Sequence, residues 1–286
     1  MRLVTFSPPA GGQQVGVVSG DRVHALQTRI SGFPSGMIEV LDELDKLRPL
    51  IMDLVARGKA DYPLADVKLH APIARPGKIL GLGLNYRDHA VEAKMELPSQ
   101  QLWFAKMSTA ANGPFDPIQL PRVSDKLDYE AELAVVIGRR CRHVDRADAD
   151  AVIAGYCVAN DVSVRDWQLR TSQFTLGKSF DTHAPFGPWI VTADEVAHPQ
   201  NLGIRCFVNG EQRQNSRTSA MTFDCQSMVE HLSQAMTLEP GDLLLTGTPA
   251  GVGALSNPPR YLIPGDIVRV EIDGIGAIEN RVESEM

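Results

Sequence analysis

The sequence has few cysteines, and they are widely spaced. Its four cysteines are Cys141, Cys157, Cys206 and Cys225, and none of them forms a close pair along the chain. Disulfide frameworks and zinc sites usually place cysteines at short, regular intervals. The spacing therefore favours buried reduced thiols over a disulfide scaffold or a structural zinc site.

The sequence also lacks an excess of basic charge and long apolar runs. Its formal net charge is −7 and its pI is about 5.5, which argues against binding to nucleic acid or to an anionic membrane surface, because both require a basic patch. No stretch approaches the ~20 apolar residues of a membrane span. The N-terminus MRLVTFSPPAGG has no apolar core of signal-peptide length. We therefore expect a cytoplasmic protein whose partners are small molecules.

Residues 1–70 are predicted to form a small N-terminal domain. A strand comes first, followed by two strands that flank the hairpin turn at residues 19–21. Apolar residues then recur at helical spacing from Met37 to Leu54, and Gly58 is placed to end that helix. A segment with two prolines and a glycine, HAPIARPGK, leads into a larger domain that we assign to residues 71–286.

The larger domain is patterned as short strands separated by turns. Asn209-Gly210 is a strong hairpin signal, and turn residues bracket the strand IVRVEI. One amphipathic helix is predicted to begin after Asp224 as its N-cap. The pattern indicates a mainly β fold of the α+β class, with an antiparallel or mixed sheet and peripheral helices.

An acidic segment, LDYEAELAVVIG, is patterned as a strand from Leu127 to Gly138. Asp128, Glu130 and Glu132 alternate along it and would share one face. Crowded carboxylates have raised pKa values unless a cation compensates, and hard oxygen ligands favour Mg²⁺, Mn²⁺ or Ca²⁺. The alternative is an exposed edge strand with a solvated acidic face.

A candidate third ligand is Asp161, where a β-rich run ends and a helix-capable segment begins. Asp161 could equally be the N-cap of that helix, and the two roles are compatible. Arg165 and Gln168 would share its helical face. Arg165 and Gln168 would together form a carboxylate-recognition surface beside a metal.

A lysine stands in the glycine-flanked segment TLGKSFDT. A phosphate-binding loop would need a glycine five positions before Gly177, and that position is Ser172. Lys178 could instead polarise a carbonyl or an enolate oxygen, or it could be an ordinary surface lysine.

Two further motifs carry candidate groups. In GLGLNYRDHAVEAK, helical spacing puts His89 and Glu92 on one side, where a carboxylate would raise the basicity of the imidazole and help it activate water. The pair could also be an exposed hydrogen bond. In LLLTGTPAGVG, a loop around Thr248 offers backbone N–H groups to an anion, or is a plain tight turn.

In this order, the motifs resemble the fumarylacetoacetate hydrolase family from about Lys78 to about Val270. The matching segments are GLNYRDHAVE, DYEAELAVVIG, GYCVANDVSVRD, GKSFDTHAPFGPW and LTGTPAGVG. Sequence beyond them resembles the branch of 2,4-diketo-3-deoxy sugar acid hydrolases and acylpyruvate hydrolases. The resemblance implies a β-sandwich roll after a small N-terminal region, usually a homodimer, and a divalent metal, Mg²⁺ or Mn²⁺, with no organic cofactor.

Carried over residue by residue, the resemblance also implies a site. The metal ligands would be Glu130, Glu132 and Asp161. The catalytic residues would be His89, Glu92 and Lys178, and the substrate-binding residues would be Arg165, Gln168 and Thr248. Asp128 is not among the usual ligands of this branch. Met95, Trp103 and Phe104 would lie near the distal end of the substrate.

The implied reaction is hydrolysis of the C3–C4 bond of a 2,4-diketo acid, with release of pyruvate through an enolate. The same site could decarboxylate a β-keto acid such as oxaloacetate, or interconvert keto and enol forms. A metal-stabilised binding protein without activity is a further alternative, although it would have no reason to keep His89, Glu92 and Lys178 together.

Overall fold

The computed structural model describes residues 1–285. The strands are β1 (Arg2–Ser7), β2 (Gln14–Ser19), β3 (Arg22–Ala25), β4 (Tyr62–Pro63), β5 (Lys68–Leu69), β6 (Ile79–Gly83), β7 (Leu102–Lys106), β8 (Ala111–Asn112), β9 (Ile118–Leu120), β10 (Leu127–Asp128), β11 (Ala131–Ile137), β12 (Ile153–Asn160), β13 (Ser163–Val164), β14 (Ala184–Thr192), β15 (Gly203–Val208), β16 (Glu211–Arg217), β17 (Leu243–Leu245), β18 (Ile267–Ile272) and β19 (Gly276–Ser284). The α-helices are α1 (Leu26–Arg29), α2 (Met37–Asp42), α3 (Leu44–Arg57), α4 (Arg87–Ala93), α5 (Arg165–Gln168), α6 (Thr175–Lys178) and α7 (Cys225–Ala235).

Two large sheets dominate the molecule. The first has 12 strands and runs in the order β4-β3-β2-β1-β14-β12-β11-β17-β6-β7, with β5 on β1 and β8 on β14. The second has 5 strands in the order β16-β15-β18-β19-β9. Pairing is mixed, since β17 runs parallel to β6 and β11 antiparallel to β12. The predicted mainly β fold with peripheral helices is confirmed.

The N-terminal strands continue the first sheet, because β1 pairs with β14 with Arg2 opposite Val191. The boundary at residue 70 between two domains stays a prediction. Helices α2 and α3 occupy the region predicted as a single helix, and Glu43 separates them. The apolar spacing continues across that residue, so periodicity alone does not reveal the break. Gly58 ends α3 as predicted.

Strand β11 lies at the centre of the fold and is buried on both faces. Leu133 and Val135 belong to the core shared with the second sheet. Ala134 and Val136 belong to the core shared with the N-terminal strands and helices. Because successive side chains of a strand point to opposite faces, both faces need apolar residues, which explains the uninterrupted apolar run.

The predicted continuous acidic strand is wrong, because the chain leaves the ladder between β10 and β11. The N–H of Tyr129 donates to Asp128 Oδ1 at 2.9 Å, and the N–H of Glu130 donates to Asn160 Oδ1 at 3.0 Å. Side chains thus replace the neighbouring strand as hydrogen-bond partners at these two positions. Strand β10 pairs instead with β13.

Other local predictions are confirmed. The turn at Asn209-Gly210 joins β15 to β16, and the Asp224 side chain accepts the Ser227 N–H at 2.8 Å at the start of α7. The cysteine thiols are free, three of them buried and Cys141 partly so. Within residues 1–285, none of the helices combines the length and the apolar character needed to cross a membrane.

Candidate metal centre and active site

Three carboxylates meet at the point where β11 begins and β12 ends. Glu130, Glu132 and Asp161 are buried, and each offers one oxygen within 4.8 Å of the others. They meet because Ala131 is the antiparallel partner of Asn160. The alternative of a solvated edge strand is therefore wrong. The alternative N-cap role of Asp161 is also wrong, since Val164 is the N-cap of α5.

Two buried lysines contact this acidic triad. Lys178 Nζ donates to Glu130 Oε2 at 2.8 Å and to Asp161 Oδ2 at 2.6 Å. Lys106 Nζ donates to Asp161 Oδ1 at 2.6 Å and to the Val162 carbonyl at 3.1 Å. The surface alternative for Lys178 is wrong, because only 2% of its side chain is exposed. The sequence patterns did not indicate Lys106, although a lysine at the end of the apolar strand LWFAK was a usable signal.

Lys178 reaches the triad because α6 packs closely on α5. A Cβ atom added at Gly177 would lie 2.2 Å from the backbone nitrogen of Gln168. Only glycine permits this approach of the two short helices. The glycine before Lys178 therefore has a packing role, not the phosphate-binding role of a nucleotide loop.

The charges of the triad are unequally compensated. Burial favours the neutral acid at Glu130, but the charges of Lys178 and Arg165 outweigh it and lower the pKa of Glu130 to about 2. Burial, with the nearby charges of Asp161 and Glu130, raises the pKa of Glu132 well above its usual value. Within residues 1–285, no salt bridge reaches Glu132.

This donor set fits a divalent cation. All three candidate ligands are hard carboxylate oxygens, which Mg²⁺ and Mn²⁺ prefer, and the buried Glu132 carboxylate needs additional positive charge. Glu132 is oriented by the backbone N–H of Gly247, which donates to its Oε2 at 2.6 Å. Gly247 has a φ of +92°, in the region that favours glycine.

Arg165 stands at the start of α5 beside the triad. Its Nη1 donates to Glu130 Oε1 at 2.6 Å and to Gln168 Oε1 at 2.9 Å. Its Nη2 is buried and has no hydrogen-bond partner among residues 1–285. One donor of the guanidinium is therefore free for a ligand.

Asp128 holds Arg165 from the other side. Its Oδ2 accepts from Arg165 Nε at 2.9 Å, and its two oxygens also accept the N–H groups of Gly253 and Ala254 at 2.8 and 2.9 Å. Asp128 is fully buried. It is therefore a buried anchor that joins Arg165 to the turn at residues 253–254, a role that the sequence pattern did not reveal.

The predicted pair His89 and Glu92 lies on one side of α4. His89 Nδ1 is 3.2 Å from Glu92 Oε2, while Glu92 Oε1 accepts the Gly251 N–H at 2.9 Å. The second bond ties the helix to the loop after β17. His89 also faces the cavity that contains Glu130 and Glu132. The arrangement is more constrained than an exposed hydrogen bond on a helix.

The remaining predicted residues, with the exception of Trp103, also line this cavity of about 310 Å³. Thr248 is buried, and its Oγ1 accepts from Gln214 Nε2 at 2.8 Å. Met95 and Phe104 line the cavity, whereas Trp103 does not, because it points to the opposite face of β7. The lining residues are Leu82, Gly83, Leu84, His89, Ala93, Met95, Leu102, Phe104, Glu130, Glu132, Arg165, Gln168, Leu169, Phe174, Lys178, Thr248, Val252, Ala254 and Leu255.

Proteins of known sequence and structure resemble this chain over almost its full length. Oxaloacetate tautomerase FAHD2A, mitochondrial, from Bos taurus is 42% identical over 287 residues, covering 99% of this chain and 91% of the relative. The crystal structure of maleylpyruvate hydrolase from Sphingobium sp. SYK-6, in complex with manganese(II) and pyruvate, has a TM-score of 0.85 at 33% identity, covering 100% of both chains. The crystal structure of 2-hydroxyhepta-2,4-diene-1,7-dioate isomerase from Mycobacterium marinum has a TM-score of 0.78 at 36% identity, covering 100% of this chain and 99% of the other.

These relatives correct the expected cytoplasmic location. The FAHD2A relatives from Bos taurus and Rattus norvegicus are both named mitochondrial, so the prediction of a cytoplasmic protein is wrong. Its basis was the lack of an apolar signal core, which bears only on secretion. Organelle leaders are amphipathic and need no such core, so the observation does not discriminate between the two locations.

The names of these relatives are consistent with the chemistry expected of the acidic site. A structural relative holds a manganese ion together with a 2-oxo acid, as expected for a triad of hard oxygen ligands. Residues 78–283 match the family model described as fumarylacetoacetate (FAA) hydrolase C-terminal. That match includes the triad, both lysines, Arg165 and the His89–Glu92 pair. The chain belongs to the fumarylacetoacetate hydrolase family.

Proposed function

We propose that the protein is a divalent-metal-dependent hydrolase that cleaves the C3–C4 bond of a 2,4-diketo acid and releases pyruvate. The observation that carries this proposal is the cavity lined by Glu130, Glu132, Lys178 and His89, where Asp161 completes the triad and Glu92 is bonded to His89. These groups supply the two requirements of the reaction, a base for water and positive charge for an enolate. A structural relative named as a maleylpyruvate hydrolase supports it.

Glu130, Glu132 and Asp161 would hold the cation. Mg²⁺ or Mn²⁺ bound there supplies Lewis-acid polarisation of the 2-oxo group and stabilises negative charge on its oxygen. Mn²⁺ is present in the structural relative, whereas Mg²⁺ is the ion commonly implied by the family. Both ions accept a site made only of oxygen ligands.

His89 would act as the general base. Its Nε2 takes a proton from the water that attacks the C4 carbonyl, while Glu92 holds Nδ1 and stabilises the imidazolium. When the tetrahedral adduct collapses, the C3–C4 bond breaks, the acyl fragment leaves as a carboxylic acid, and the electron pair passes into the pyruvate enolate. The proton held by His89 returns to C3, which gives pyruvate.

Lys178 would stabilise the enolate. Its ammonium is fixed between two carboxylates and would donate to the 2-oxo oxygen, where negative charge develops. Arg165 would bind the substrate carboxylate through its unpaired Nη2, assisted by Gln168 and Thr248. A charge-assisted contact of this kind orients the 2-oxo acid toward the acidic triad.

A second candidate is keto–enol tautomerisation of oxaloacetate. It is favoured by the relative named as an oxaloacetate tautomerase, which is 42% identical over 99% of this chain. Here His89 would move a proton between C3 and the 2-oxo oxygen without activating water. Decarboxylation of oxaloacetate would use the same enolate stabilisation.

One pair of assays separates these reactions. The protein is loaded with Mn²⁺ or Mg²⁺ and supplied with acetylpyruvate, and pyruvate release is followed. In parallel, the ultraviolet absorbance of enol-oxaloacetate and the release of CO₂ are recorded. If the wild type releases pyruvate and His89→Ala does not, the result supports the hydrolase proposal. If enol-oxaloacetate disappears rapidly and acetylpyruvate is not cleaved, the tautomerase replaces the hydrolase as the proposed function.

The quaternary structure also remains a proposal. We expect a homodimer, which light scattering coupled to gel filtration would test. A monomeric mass would contradict it.

A further inference from the structure

The cavity has two chemically different ends. Its charged lining residues are Glu130, Glu132, Arg165 and Lys178, all at the acidic end, which His89 also lines. Its outer wall contains aliphatic side chains that remain exposed. Met95 is 56% exposed, Leu102 42%, Leu169 71% and Leu255 43%.

This apolar wall is assembled from separate parts of the chain. Met95 follows α4, Leu102 begins β7, Leu169 follows α5 and Leu255 ends the short 3₁₀ turn Gly253–Leu255. Single exposed aliphatic residues are common, but several that converge on one cavity indicate a binding surface. The wall is continuous with the proposed catalytic site, which determines what would occupy it.

Phe104 connects the two ends of the cavity. The ring centroid of Phe104 lies 4.8 Å from Lys178 Nζ and 6.1 Å from the ring centroid of Phe174. Phe104 thus contacts the lysine of the acidic end and lies on the same face of β7 as Leu102 of the apolar wall. A substrate whose 2-oxo oxygen meets Lys178 would therefore direct its remaining carbons along this wall.

We propose that the group beyond C4 of the substrate is an uncharged alkyl or aryl group, which binds against Met95, Leu102, Leu169 and Leu255. This inference rests on the proposed function and specifies its substrate class. No cationic side chain of residues 1–285 lines the outer wall, so a distal carboxylate would lose hydration there without gaining a partner. Oxaloacetate has no carbon beyond C4 and would leave the wall uncovered.

Two cations are next to wall residues in the sequence, Lys94 beside Met95 and Arg170 beside Leu169, and neither lines the cavity. The guanidinium of Arg170 lies 4.1 Å from the Trp167 ring centroid, and its Nη2 is 4.0 Å from Asp166 Oδ2. It is not among the residues that line the cavity. The neighbouring Leu169 presents an aliphatic group instead.

Binding of simple 2-oxo acids tests the wall without requiring turnover. Titration calorimetry with the Mn²⁺-loaded protein would compare pyruvate, 2-oxohexanoate and 2-oxoadipate. The last two have the same chain length and differ by a distal carboxylate. We expect 2-oxohexanoate to bind more tightly than pyruvate, by about fourfold for each methylene that is buried. We expect 2-oxoadipate to bind more weakly than 2-oxohexanoate.

Charge variants make the test specific to the wall. Leu169→Arg or Leu255→Arg should lower the preference for 2-oxohexanoate over 2-oxoadipate by about tenfold or more, because the new guanidinium can pair with the distal carboxylate. Leu50→Arg is the matched control, since Leu50 is an exposed leucine on α3. The control should leave the preference unchanged.

The outcomes distinguish this inference from the proposed function. Equal or tighter binding of 2-oxoadipate, or affinity that does not depend on chain length, overturns the inference. Length-independent affinity would mean that the protein itself, through α4 or a second copy, covers the wall. If no 2-oxo acid binds, the inference is also overturned. If the binding order is as expected but acylpyruvates are not cleaved, only the proposed function fails.

Discussion

The Glu132 carboxylate and the Gly247 backbone N–H form a hydrogen bond of 2.6 Å at the centre of the acidic triad. No cationic side chain of residues 1–285 forms a salt bridge with Glu132, although Glu130 and Asp161 both contact lysine. The triad is thus left with one carboxylate that lacks a positive partner. A divalent cation would supply the missing charge, and this imbalance has consequences that can be measured.

Metal uptake should release a proton. Burial, Asp161 and Glu130 raise the pKa of Glu132 in the metal-free protein, and a carboxylate must lose its proton to bind an ion. The apparent affinity for Mn²⁺ should therefore weaken as the pH falls below that raised pKa. Calorimetric titration in two buffers with different enthalpies of ionisation would measure the released proton.

Glu132→Gln is the test variant. Asp53→Asn is its matched control, because Asp53 is an exposed residue of α3. Glu132→Gln should weaken Mn²⁺ binding and remove the proton release, whereas Asp53→Asn should change neither. Mn²⁺ affinity that is the same at every pH in the wild-type protein would show that Glu132 is already ionised.

Lys106 should stabilise the metal-free protein. Lys106→Met leaves Asp161 buried with Lys178 as its remaining cation, and breaking a buried ion pair by removing one partner costs about 3–5 kcal/mol. Because Mn²⁺ would restore positive charge at the triad, it should raise the Tm of the variant more than that of the wild type. Thermal unfolding with and without Mn²⁺ measures both effects.

Lys46→Met provides the control for Lys106, since Lys46 is an exposed lysine on α3. It should leave the Tm nearly unchanged. An equally small effect of Lys106→Met would mean that the Lys106–Asp161 contact contributes little to stability.

Loss of the His89 imidazole should remove general-base catalysis without removing the metal. We expect His89→Ala to lower kcat for acetylpyruvate by about 10²–10⁴-fold, with Mn²⁺ affinity close to that of the wild type. Glu92→Gln should have a smaller effect, because an amide oxygen can still accept the Gly251 N–H but no longer stabilises an imidazolium. Steady-state kinetics and Mn²⁺ titration of both variants would test this order.

A parallel loss of Mn²⁺ affinity in His89→Ala would instead place His89 among the groups that organise the metal centre. The same assays with oxaloacetate separate hydrolysis from decarboxylation. Decarboxylation that survives in His89→Ala would restrict the imidazole to water activation.

Sequence patterns predicted which side chains are neighbours where the contacts are local, and missed them where the contacts are distant. Alternation along the acidic segment predicted that Glu130 and Glu132 are neighbours, and helical spacing predicted the same for His89 and Glu92. Lys106 lies 55 positions from Asp161 and pairs with it only because β7 and β12 belong to one sheet. No periodicity within a segment can indicate such a pair.

The acidic segment shows a second limit of sequence patterns. Alternation predicted Asp128 on the face of the triad, but side-chain acceptors take the Tyr129 and Glu130 N–H groups and interrupt the strand. A local pattern assumes that the ladder continues, and it cannot identify a competing acceptor such as Asn160, which lies 30 positions away.

Asp128 should control substrate binding, and not metal binding, although it is a carboxylate as buried as those of the triad. Asp128→Asn keeps the size of the side chain but removes the negative charge that faces Arg165 Nε. Truncating a buried hydrogen-bonded charge pair costs about 2–5 kcal/mol, and here the cost would appear as a displaced Arg165 and a less ordered turn at residues 253–254. We expect KM for acetylpyruvate to rise by about tenfold or more.

Mn²⁺ titration separates this anchoring role from ligation. Asp128→Asn should retain Mn²⁺ affinity, whereas Glu130→Gln, which removes a proposed ligand, should lose it. Arg165→Lys provides a second comparison, because a lysine keeps the charge but not the planar set of donors that reaches Asp128, Glu130 and Gln168 together. If Asp128→Asn lost Mn²⁺ as completely as Glu130→Gln, Asp128 would have to be a fourth ligand, and the assignment of the site to three carboxylates would be wrong.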